Sequence, residues 1–173
     1  MTLAALILSL LTLDNGAQAG SCRPRCAEHA EALAHAIEGA AQAHDVDPLL
    51  LVALAFRESS LVGRDNGTSA GVFGFHRRSS LWRSVRAACG DSKSGTTVLQ
   101  NKKGVGRGIS PYLTRCLDAQ ADVAALEVKR LWLLCSGTQG ALSAWQSGEC
   151  RSDSGVRYAA RVMRTRDELR GML

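Results

Sequence analysis

Apolar residues recur every three to four positions along most of this chain, the period at which side chains line one face of an α-helix. Leu51, Leu54, Ala55 and Glu58 share such a face, with Leu50, Ala53 and Phe56 on its flank. Asp47-Pro48 opens the segment: Asp accepts from the backbone N–H groups left free at a helix start, and Pro at the first position sacrifices no hydrogen bond. A helix is therefore predicted from Pro48 to about Ser59. The longest amphipathic pattern, Leu117, Ala121, Ala124, Val128, Leu131 and Cys135, predicts a core helix over 117–135. Ala27–Ala43 is Ala-rich, carries Glu28, Glu31 and Glu38, and is interrupted only by Gly39, so it too reads as a helix. Leu81–Cys89, Gly140–Gln146 and Gly155–Arg170 complete the list. The predicted fold class is mainly α.

Two stretches break the periodicity. Residues 63–74 hold Gly63, Gly67, Gly71 and Gly74 around the polar run Arg64–Thr68, a turn-rich loop that brings backbone close to something. Asn66-Gly67-Thr68 within it matches a glycosylation sequon, a pattern short enough to arise by chance. Gly90–Tyr112 is polar, rich in Gly and Ser, and basic through Lys93, Lys102, Lys103 and Arg107, which predicts a surface insertion. Its Gly104–Gly108 run imitates a phosphate loop, but no strand precedes it and no helix clearly follows.

The first 13 residues are apolar or small apart from Thr and Ser, and Ala17-Gln18-Ala19 has the small-x-small shape of a signal-peptidase site. Residues 1–19 read as a signal peptide and 20–173 as one domain, exported to the periplasm or beyond. No basic residue precedes the apolar run, so an uncleaved anchor stays open. Cys22 follows, without the large aliphatic residue that marks a lipid-attachment site. Nothing else approaches the ~20 apolar residues of a membrane span, so none is expected in the mature chain.

Composition agrees with a folded domain: 173 residues, 46% apolar and 21% charged. The formal charge of +5 rises by one if Asp14 leaves with the leader, and attracts polyanions such as cell-wall polymers; by charge alone nucleic acid suits equally. Six cysteines, Cys22, Cys26, Cys89, Cys116, Cys135 and Cys150, in a chain with an export signal favour disulfides over metal. Cys22-x3-Cys26 with His29 lacks the second ligand pair that zinc requires. Spacing does not choose among the possible pairings. Our working assignment joins Cys89 to Cys116 and Cys135 to Cys150, leaving Cys22 with Cys26.

One residue stands out chemically. Glu58 lies on or beside an apolar helix face next to a Gly-rich loop, and desolvation raises a carboxyl pKa toward the range a glycosidase acid needs. Taken alone, the helix reads more simply as ending in a carboxylate that faces water or pairs with Arg57 or Arg64. Order along the chain shifts that balance: Glu58-Ser59, then Ser69-Ala70-Gly71-Val72-Phe73-Gly74-Phe75, then Ala144-Trp145-Gln146-Ser147-Gly148, then Tyr158. That order, over about Asp47 to Val162, resembles the soluble lytic transglycosylase-like family and its goose-type lysozyme relatives. There Glu-Ser ends a buried helix, Ser-x-Gly-Ala-x-Gly-hydrophobic-Met-Gln follows, and Ala-Tyr-Asn-x-Gly comes later. His76 and Arg77 stand where Met and Gln are usual, and Trp145 and Gln146 replace Tyr and Asn. The last two exchanges keep an aromatic face and an amide. An isolated His beside two arginines, as His76 is, reads more simply as a surface residue.

The resemblance implies a lysozyme-like domain that cleaves peptidoglycan glycan strands between N-acetylmuramic acid and N-acetylglucosamine. Glu58 would be the acid and then the base, leaving a 1,6-anhydro end. Ser59 would hold Glu58 or the substrate, Tyr158 would orient Glu58, and Ser69, Gly74, Phe75, Arg77, Trp145 and Gln146 would border the sugar groove. It implies no metal or organic cofactor, a monomer, and no nucleic-acid partner. A hydrolytic muramidase, with Asp65 as a second carboxylate positioning water, stays open, although a turn-forming Asp is the simpler reading. So does a non-catalytic wall-binding protein that keeps the fold. A helical module unrelated to sugar would place Glu58 and Tyr158 far apart.

Overall fold

The computed structural model describes residues 1–13, 25–65, 68–90 and 116–173. Seven helices are found among these residues: α1 (Leu3–Leu13), α2 (Cys26–His44), α3 (Pro48–Ser59), α4 (Ser80–Ala88), α5 (Leu117–Cys135), α6 (Thr138–Ser147) and α7 (Asp153–Met172). They match the periodic segments, extended by one to a few residues at most ends, where caps rather than periodicity decide the boundary. The fold is mainly α and stapled by disulfides.

The helices close a ring of contacts: α2 packs on α5, α5 on α6, α6 on α7, α7 on α3, and α3 back on α2. The sequence pattern understates α3, because every residue from Leu49 to Ala55 is buried. A helix apolar on all sides belongs in the middle of its domain, and α3 lies there. Asp47 fixes its start twice over. Its Oδ1 accepts from the Leu49 N–H at 2.9 Å, a cap worth about 1 kcal/mol, and its Oδ2 pairs with Arg170 of α7 at 2.7 Å.

The apolar N-terminal run forms α1, which packs on α2 with Leu6 and Ile7 fully buried. Its expected cleavage site, Ala17–Ala19, lies outside the described residues, as do Cys22 and positions 91–112 of the expected surface insertion. Among the described residues no helix is long and apolar enough to cross a membrane. Cys89 pairs with Cys116, joining the two ends of 91–115, and Cys135 pairs with Cys150, tying the end of α5 to the turn after α6. Cys26 is also disulfide-bonded.

The Gly-rich segment expected as a loop carries a small antiparallel sheet in the order β1 (Arg64–Asp65), β2 (Ser69–Gly71), β3 (Phe75–His76). Asp65 faces Ala70, and Ala70 faces Phe75. Strands this short leave no alternation in sequence; what makes them is the chain folding back on itself after α3. That reversal uses two left-handed residues, Ser60 (φ 53°) and Leu61 (φ 67°), an arrangement costly for non-glycine residues. It is held from α2, where buried His29 donates its Nε2–H to the Leu61 carbonyl at 2.7 Å.

The other ring nitrogen of His29 is buried without a partner, and burial pushes its pKa below the usual 6.5. The unfolded chain therefore binds a proton that the folded chain resists, so stability falls as pH drops below about 6.5. In His29→Gln, whose amide can still donate to Leu61, this part of the pH dependence is expected to vanish. Chemical unfolding at pH 7 and pH 5 checks it.

Candidate active site

The end of α3 and the small sheet meet at Val72. Its N–H donates to Gln120 Oε1 of α5 at 2.8 Å, and its carbonyl accepts from Ser59 Oγ of α3 at 2.8 Å. Both side chains are buried, with Gln120 and Ser59 each 1% exposed. Unpaired polar groups at such depth are expensive, so the pairing fixes the β2–β3 turn to two helices at once. Ser59 Oγ also accepts from the Gly63 N–H at 3.2 Å. Ser59, expected to hold Glu58 or substrate, is buried and spends its hydroxyl on Val72 and Gly63, anchoring the turn that covers Glu58.

So anchored, the turn places Gly74 directly over Glu58. Gly74 has φ 62°, and a Cβ there would fall on the Glu58 carboxylate. From the other side comes Tyr158 of α7, whose hydroxyl donates to Glu58 Oε1. Tyr158 is delivered by a close approach of α6 and α7: a Cβ at Gly155, three residues earlier, would meet the Ser143 carbonyl at 2.7 Å. Ser152 caps α7 by accepting from the Gly155 N–H at 3.1 Å. The Trp145 indole N–H, on the groove side, is a further neutral donor whose influence favours the ionised form of Glu58. Glu58 and Tyr158, 100 positions apart, are thus joined, not separated as an unrelated helical module would have them.

Burial raises the Glu58 pKa above its usual 4.5, while the bonds from Tyr158 and Trp145 and the charge of Arg57 pull it back down. The carboxyl is left more easily protonated than an exposed one, yet supplied with donors when ionised. Burial and the neighbouring Glu58 charge push the Tyr158 hydroxyl strongly up, so it remains a donor at any ordinary pH.

Glu58 opens into a groove of about 370 Å³. Of the residues expected there, Ser69, Gly74, Phe75, Trp145 and Gln146 line it, together with His76. Phe75 packs at a tilt against two indoles, its ring centroid 6.0 Å from that of Trp145 and 6.4 Å from that of Trp82. Tyr158 stands behind Glu58, not in the wall. Arg77 is also absent from the wall; its N–H donates to the Thr68 carbonyl at 2.8 Å, which closes the sheet edge. Asp65 pairs through its backbone in β1, and among the described residues Glu127 of α5 is a second carboxylate lining the groove with Glu58. Glu127 and the anchoring Gln120 were not singled out by sequence. Both sit among the apolar positions of α5, and a polar residue inside an apolar stripe is the signal that finds them. No group of metal-ligating side chains occurs among the described residues.

Compared with known proteins, the chain matches no family model, no curated protein and no solved structure.

Gly74→Ala tests the contact between turn and carboxyl. The left-handed backbone alone costs about 1–2 kcal/mol, and the added methyl displaces Glu58. The control Gly90→Ala, also left-handed (φ 79°) but facing open space, should lose comparable backbone stability without disturbing Glu58. Thermal unfolding, and an NMR titration of the Glu58 carboxyl that moves only in Gly74→Ala, would check this.

Proposed function

We propose that this protein is a peptidoglycan-cleaving enzyme of the lytic transglycosylase type, with Glu58 as its single acid and base. The observation that carries the reading is a carboxyl partly withdrawn from water at the edge of an open groove, with a raised pKa and two neutral donors, Tyr158 and Trp145. A group so placed can deliver a proton at a higher pH than an exposed carboxyl can, and take one back, as glycan cleavage requires. Groove and ligand chemistry also agree: indole and phenyl faces offer stacking surfaces, and Ser69 and Gln146 offer hydrogen-bonding groups suited to sugar hydroxyls.

In this mechanism Glu58 gives its proton to the glycosidic oxygen as the bond to the muramic C1 breaks, the sugar's own acetamido group assisting. The muramic 6-hydroxyl then bonds to C1 and its proton returns to Glu58. One carboxyl serves both steps, and a 1,6-anhydro end remains. An exported enzyme acting on wall glycan would have its substrate in the same compartment as its disulfides.

Digestion of purified peptidoglycan, with mass analysis of the released ends, tests the reading. Wild type should release anhydro ends, and Glu58→Gln should be about 10²–10⁴-fold slower. Reducing ends formed by water would make the enzyme a muramidase instead. Binding with no release by either protein would leave a non-catalytic wall binder.

The pH profile provides a separate check. Activity that needs protonated Glu58 falls as pH rises through its raised pKa. Tyr158→Phe removes a bond that favours the ionised form, so the alkaline limb of the profile should move to higher pH while the rate falls. An unmoved limb would show that Tyr158 does not govern the proton on Glu58.

A further inference from the structure

Glu127 lines the same groove as Glu58, but from α5, sharing the lining with Leu131 of that helix and with Ala144, Trp145 and Gln146 of α6. Its side chain is 15% exposed. Arg130, one turn on, donates to both of its oxygens, Nε to Oε2 and Nη2 to Oε1, each at 2.7 Å. A two-point clamp of this kind fixes the plane of the carboxylate. It occupies two of roughly four lone-pair positions and leaves the others for a ligand. Arg130 itself is largely exposed, so the pair adds a compensated charge beside the groove, not a net negative one.

Resting on the glycan-cleaving reading above, we propose that the Glu127–Arg130 pair is the groove's reader of N-acetylated sugar. Glu127 accepts the N–H of an acetamido group or a neighbouring hydroxyl. Arg130 holds that acceptor in place and, by its charge, disfavours the ammonium of a deacetylated sugar. A carboxylate without the clamp would do the reverse, attracting the cation more than the neutral amide. The acceptor therefore selects for neutral donors because of its neighbour.

The test uses the full chain and two defined probes, the trimers of N-acetylglucosamine and of glucosamine, titrated calorimetrically at one pH and ionic strength. Wild type should bind the acetylated trimer more tightly. Glu127→Gln should weaken that binding about tenfold, as loss of a hydrogen bond to a charged acceptor does, and should raise KM on peptidoglycan more than it lowers kcat. Arg130→Met keeps the carboxylate and removes the clamp, and should shift the binding ratio toward the glucosamine trimer. Unchanged acetylated-trimer binding in a folded Glu127→Gln, or an unchanged ratio in Arg130→Met, would overturn the proposal. So would a wild type that binds neither trimer. Failure of the parent reading shows separately, as wild type that binds sugar but releases nothing from peptidoglycan.

Discussion

A carboxyl taken partly out of water must be given partners or it becomes a liability to the fold. At Glu58 three elements meet: Tyr158 donates from α7, Trp145 supports the ionised form from α6, and the bare backbone of Gly74, in the turn between β2 and β3, leaves the carboxylate room. Each partner needs its own support. Tyr158 depends on the close approach of Gly155 to Ser143, Trp145 on the packing of α6 against α5, and Gly74 on the clamp at Val72. The helical ring around α3 is the arrangement that lets all three converge on the end of one central helix.

Two opposing influences set the chemistry of that carboxyl. Desolvation favours the protonated form, while the donated hydrogen bonds favour the ionised form, and desolvation is the larger. Neither state is prohibitively unfavourable, a condition for a group that has to give up a proton and regain it. Glu127 has the contrasting design. Its clamp by Arg130 is a strong ionic contact directed at a fixed geometry, suited to holding a ligand in place. Two carboxyls in one groove thus receive different environments, one held by neutral donors and the other by a guanidinium.

Most helices were legible because their signals are local: a 3.6-residue period, Asp47-Pro48 at the start of α3, and unbroken Ala-rich or Leu-rich runs. The small sheet was not, since its two- and three-residue strands are too short to show alternation, and the turn between two of them is seated by Ser59 and Gln120 from distant helices. The N-terminal run was ambiguous for a physical reason, because an apolar helix bound for a membrane translocon and one packed on α2 have the same composition. In the site, the order of Glu58, Gly74, Trp145 and Tyr158 along the chain was readable, and their convergence was not. The bonds of Ser59 were not readable, because a hydroxyl next to a helix-end carboxyl can face either way and its partners lie on the turn beyond. Arg77 lies outside the groove lining, and its backbone N–H bonds the Thr68 carbonyl across the turn, a pairing no local pattern announces. Gln120 and Glu127 passed unnoticed because an amphipathic helix is usually read by its apolar residues and not by the exceptions among them.

The clamp at Val72 grips a peptide group and not a side chain. Any residue but proline supplies the same N–H and carbonyl, so the turn's shape is insured by Gln120 and Ser59 while the side chains it displays toward the groove remain free to vary. Substitution at outward-facing positions such as His76 can then accumulate without moving Gly74 away from Glu58. The turn thus divides its labour, with the peptide groups holding position and the side chains left open to exchange.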